Sequence, residues 1–197
     1  GDTVLVEPGT YPMAADRVLA NCGGEPAAPI TYKANGSVIL DGGANLGTVL
    51  GIEGPAVGNI VLDGFHFRGG VTGLRVTSAT GVQVINCRFS DKTVAANHPM
   101  IWLQAASNCS FHNNVIGPNL AGITHGVVDD NSGGNNKFFN NTITGTTDWA
   151  FVVGGSAGAA PGIEFRNNII YQVSNAIFTI NPSVVHTHNL FRDVSGA

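Results

Sequence analysis

The sequence predicts an all-β fold, a parallel β-helix (solenoid) of about eight coils with an asparagine ladder. Three observations predict it. Adjacent asparagines recur inside strand-like runs, as "SFHNNVIG" (110–117), "KFFNNTITG" (137–145) and "EFRNNIIY" (164–171). A second family of apolar runs lies between them: "GLRVTSA", "MIWLQAA", "HGVVDDN", "WAFVVGG" and "AIFTINP". No segment carries the 3.6-residue period of an amphipathic helix.

The asparagine pairs set the repeat. Aligning the second Asn of each pair with "VQVINCRF" and "IVLDGFHF" gives the column Gly43, Phe65, Cys87, Asn114, Asn141, Asn168 and Asn189. Its steps are 22, 22, 27, 27, 27 and 21 residues. Aromatic or aliphatic residues stand two positions after the column from Phe65 onward and, up to the last coil, three positions before it. That pattern reads as short alternating strands broken by a turn. Each coil stacks on its neighbour at roughly 4.8 Å and buries its inner face only when stacked. Asparagine is depleted from strands, and a buried amide without partners is costly. Stacked at a bend, however, each amide meets the next, so Asn114, Asn141, Asn168 and Asn189 are expected to be structural.

Composition narrows the function classes. The 197 residues suffice for one domain, taken here as a single β-helix over 1–197. Charged residues are 11% of the chain and the net charge is −4, so no basic stripe for nucleic acid is expected. No apolar run reaches the ~18 residues of a membrane-spanning helix. The three cysteines, Cys22, Cys87 and Cys109, fit no zinc spacing and are read as free thiols.

With "GDTVLVEPGTY", "APITYKANGSVILDGG" and "IVLDGFHFRGG" as its opening coils, the chain resembles the pectin-lyase-like superfamily of right-handed parallel β-helices. That superfamily includes pectate and alginate lyases, polygalacturonases, epimerases, phage tailspikes and surface proteins. The resemblance implies a right-handed solenoid, a polysaccharide partner and a secreted or cell-surface location. Members usually carry a capping helix before the segment where this chain begins, so either bare ends or a fragment lacking terminal caps is expected. Its open strand edges would favour an end-to-end homodimer.

Coil lengths locate a candidate groove. From each column residue to the centre of the next second-family strand, the distances are 11, 16, 14, 11 and 11 residues. The excess falls in two consecutive coils, in "SDKTVAANHP" (90–99) and "GPNLAGITH" (117–125). Two inserted loops on one edge of a sheet would wall a groove. By alternation the sheet presents Arg75 and Thr77, Trp102 and Gln104, then Val127 and Asp129. The loops add Asp91, Lys92, His98 and His125, and Trp149 extends the surface.

The reading placed first is β-elimination on an acidic polysaccharide. Arg75 would neutralise the uronate carboxylate, and Lys92, His98 or His125 would take the proton beside it. Trp102, Gln104 and Trp149 would bind substrate, and Asp91 with Asp129 would help hold Ca²⁺. The alternatives are a non-catalytic carbohydrate-binding or surface module, with Trp102 stacking on sugar, and a purely structural β-helix.

Overall fold

The structure is a computed structural model that describes residues 1–44, 46–92, 98–118, 125–130, 133–154, 161–179 and 184–195. Strands line three faces of a solenoid, and every pairing between named strands is parallel. The third face is a 7-stranded sheet: Arg17–Leu19, Thr48–Glu53, Thr72–Thr77, Ile101–Gln104, Val127–Asp130, Trp149–Val153 and Asn175–Thr179. The first and second faces join in a 14-stranded sheet, because Ile30–Asp41 and Ile60–Arg68 run continuously across both. The coil count is slightly below the eight expected.

The two asparagines of each pair do different work. The first turns the chain: Asn86, Asn113, Asn140 and Asn167 have φ between 55° and 59°, the left-handed region that Asn enters more readily than other side-chain-bearing residues. The second points inward. Asn141 Oδ1 accepts from both Asn114 N and Asn114 Nδ2, each at 3.0 Å. Its own Nδ2 donates to the Phe111 carbonyl at 2.9 Å and to Asn168 Oδ1 at 3.1 Å. Asn168 bonds Asn189 in the same way, and at the other end Asn114 Oδ1 accepts from Cys87 N. Asn114, Asn141 and Asn168 are all buried.

Phenylalanines fill the axis beside this column. Phe111, Phe138 and Phe165 stack at 5.1 and 4.9 Å between ring centres, and Phe67 stacks on Phe89 at 4.7 Å. Cys87 and Cys109 are buried free thiols whose pKa burial pushes up to about 12.

Two expectations about register need correction. Gly43 does not belong to the ladder column, because Val38 pairs with Phe65 and Gly9 with Val38. The first step is thus 27 residues, like the three central ones, and a bulge between Lys33 and Val38 lies just ahead of it. On the third face, Val127 and Asp129 do not point outward. Ile101 pairs with Val127 and Leu103 with Asp129, so both share the inward parity of the apolar core.

Candidate functional site

The outward row of the third face runs Arg75, Trp102, Val128, Val152 and Phe178, one residue per coil. Beside it runs a second row of Glu53, Thr77, Gln104 and Asp130. With the corrected register, the distances from ladder residue to strand centre become 11, 16, 15, 12 and 11, so the long loops still fall in the same two coils. The middle of each loop, 93–97 and 119–124, lies outside the described residues. Their C-terminal ends come together at this strand, where His125 O accepts from Met100 N and His98 lies against Trp102.

Trp102 is half-buried, and its ring centre is 5.6 Å from that of His98. Its Nε1 is buried without a hydrogen-bond partner among the described residues. Three coils along, roughly 14 Å by strand spacing, Phe178 is 42% exposed and packs on Trp149 at 5.4 Å. Trp102, Val128, Val152, Phe178 and Trp149 therefore form an apolar, largely aromatic stripe on the outside of a regular sheet. An outward stripe of this kind is more informative than a single exposed apolar side chain.

The charged residues expected here are arranged differently. Arg75 is held by Glu53: its Nε and Nη2 donate to Glu53 Oε1 at 2.8 and 2.5 Å. Lys92 is 3% exposed and donates its ammonium to the His98 carbonyl, so it does not present a base to the groove. Burial lowers its pKa to about 8. Asp129 is 2% exposed in the interior, where Asn136 Nδ2 donates to its Oδ2 at 3.0 Å. Asp91 is exposed at the end of the second-face strand Arg88–Ser90 and accepts from the Ser90 hydroxyl, which also lies 2.7 Å from His66 Nε2.

The expected calcium does not fit this donor set. Asp129 faces the core, while Asp91 faces solvent and is engaged by Ser90. Among the described residues, no group of three or more His, Cys, Asp or Glu is placed to hold a metal ion.

His98 and His125 do lie near each other, since His125 O accepts from Met100 N, two residues beyond His98. His125 Nδ1 is 3.6 Å from Asp148 Oδ2, too long for a hydrogen bond. Burial lowers the pKa of both imidazoles, and the Lys92 ammonium lowers both further, while Asp148 opposes the shift at His125. Both are therefore neutral at pH 7.

A family model described as "Right handed beta helix region" matches residues 34–170. The chain belongs to that family. Its fold is a right-handed parallel β-helix. Similar solved structures include pectate lyase Pel9A (TM-score 0.72, 16% identity, covering 88% of this chain and 46% of that one). Another is the Azotobacter vinelandii mannuronan C-5 epimerase AlgE6 A-module (TM-score 0.61, 15% identity, 96% and 49% covered). A third is PfbA, a surface adhesin of Streptococcus pneumoniae (TM-score 0.56, 13% identity, 84% and 44% covered). The chain spans about half the length of each. At these identities the likeness establishes the fold alone. No curated protein matches the sequence.

Sequence reasoning missed Glu53 and the outward row of Val128, Val152 and Phe178. The signal for Glu53 was present: it stands 22 residues before Arg75, one coil back.

The histidines make a pH prediction. His66, His98, His112 and His125 all have pKa values lowered mainly by burial. As pH falls through about 6.5 the unfolded chain takes up protons first, so native stability falls with it. Melting temperature measured between pH 7 and pH 5 should decline, and His125→Gln should shallow that decline. A flat profile would mean these imidazoles are solvated.

Proposed function

We propose that this chain is a polysaccharide-binding β-helix module, with the glycan lying along the outward row of its third face. The observation that carries the reading is the aromatic stripe from Trp102 to Phe178 and Trp149, laid along the solenoid axis. Sugar rings have apolar faces that stack on indole, and an extended chain matches a straight row repeating every coil. Gln104, Thr77 and Asp130 stand beside the stripe as hydrogen-bonding groups, with Thr77 Oγ1 and Asp130 Oδ1 buried without partners among the described residues. A secreted or surface location belongs to the same reading, supported by a likeness in fold to a protein described as a surface adhesin.

Intrinsic fluorescence tests this directly, because the chain has two tryptophans, Trp102 and Trp149, and both belong to the stripe. Titration with soluble polysaccharides should quench or shift the emission saturably. Retardation in native gels cast with the same polysaccharide should rank them alike. Unchanged emission and mobility across all of them would overturn the reading.

β-Elimination is kept as a second reading on one observation. His98, held neutral beside Trp102, is able to accept a proton at pH 7. Absorbance of an unsaturated product during incubation with uronans would establish it, and its absence with bound polymer would leave a binding module.

A further inference from the structure

We infer that the glycan taken by the third face is neutral rather than a polyuronate; the inference rests on the proposal that this face is a glycan platform. The residues outside the described set contain no Asp, Glu, His, Lys or Arg, so every ionisable side chain has a place in the structure.

Of the nine lysines and arginines, Lys33, Lys137 and Arg166 stand on the first face. Arg68, Arg88 and Arg192 stand on the second, and Arg17 lies in the first third-face strand. Two remain near the stripe, and both are engaged. Arg75 donates twice to Glu53. Lys92 is turned inward to the His98 carbonyl. His98 and His125 add no positive charge at pH 7, for the reasons of burial given above. Against these stand three carboxylates around the stripe: Glu53, Asp130 and Asp148.

A polyuronate brings one carboxylate per sugar. Repeated along the coils, each would need a cation or a metal bridge. Around the stripe no cation is unengaged and the carboxylates outnumber the cations three to two, since Arg17 stands at the far end of the face on the row of Leu50 and Leu74. Among the described residues the metal-ligating groups do not cluster. A polyanion would be repelled by such a surface. A neutral chain meets no such barrier, and its hydroxyls suit Gln104, Thr77 and Asp130. This choice also removes the second reading. A neutral sugar has no carboxylate to acidify the neighbouring C–H, so elimination has no driving group.

The test is a fluorescence and native-gel panel on the whole chain and on Trp102→Ala. One set of polymers is neutral (β-glucan, xylan, mannan, galactan). The other is acidic (polygalacturonate, alginate), each with and without added calcium. The expected result is saturable, Trp102-dependent binding of a neutral polymer that persists from about 0.05 to 0.5 M salt, a range that strongly screens exposed charges. Uronans should bind at least tenfold more weakly, with or without calcium. Trp102-dependent binding of a uronan as tight as any neutral polymer would overturn the inference and leave the platform standing. Failure of both sets would overturn the platform and the inference with it. As an internal control, Glu53→Gln removes the carboxylate from Arg75 and should raise uronan binding. No gain would mean Arg75 cannot reach a ligand and that the pairing does not decide selectivity.

Discussion

Asn141→Ala should lower the stability of the whole solenoid by about 2–5 kcal/mol, on the basis of about 1–3 kcal/mol for each buried polar group left unsatisfied. Asn141 is 1% exposed, and its amide serves four bonds at once. Removing it strips the Asn114 backbone N–H and the Phe111 carbonyl of these partners. Both lie where water does not reach. The cost propagates little along the axis, because Asn168 keeps its bonds to Asn189 and to the Phe138 carbonyl. Asn141→Asp is a sharper probe. It retains an acceptor for Asn114 but brings a carboxylate against Asn168 Oδ1, so it should be at least as destabilising at pH 7 and milder when protonated. Chemical denaturation with circular dichroism would measure both. Substituting Asn140, whose φ of 55° shapes the turn, should cost about 1–2 kcal/mol for a residue such as Ala and nothing for Gly. A neutral Asn141→Ala would contradict the inward ladder.

How much of this was legible in the sequence differs by feature. The asparagine column was readable because one residue type with a specific hydrogen-bonding need recurs at coil spacing. The first coil misled because the chain there lacks the adjacent asparagine pair that marks the later bends. "LDGG" looks like a turn, whereas the real bend is reached through a bulge between Lys33 and Val38. Asp129 shows the sharper limit. The loops flanking each third-face strand differ in length, so register has to be carried across them, and a slip of one residue exchanges the inner and outer faces. A buried carboxylate beside an inward asparagine, Asn136, is not a pattern that alternation suggests. The fate of Lys92 was also hidden, since a long side chain in a loop reads as solvated until the fold turns it toward a carbonyl. Trp102 was legible as outward because its strand, "MIWLQAA", alternates cleanly.

Trp102→Ala should weaken polysaccharide binding at least tenfold, equivalent to about 1.4 kcal/mol. The indole is the largest apolar surface on the outward row, and stacking one of its faces against a sugar ring hides area from water on both partners. Little else would be disturbed. Trp102 is half-buried, its Nε1 has no partner to lose among the described residues, and the inward neighbours Ile101 and Leu103 keep the core intact. The stability cost should therefore stay well below the several kcal/mol of a core truncation. Trp102→Phe separates stacking from shape: it keeps an aromatic face and should recover much of the affinity, whereas Trp102→Leu should not. Trp149 remains as the fluorescent reporter in all three variants, and its contact with Phe178 lies about three coils away. If Trp102→Ala binds as tightly as the native chain, the glycan does not lie on this row. If it instead melts like a core mutant, the indole serves the fold beneath its loop, and the platform would have to rest on Trp149 and Phe178 alone.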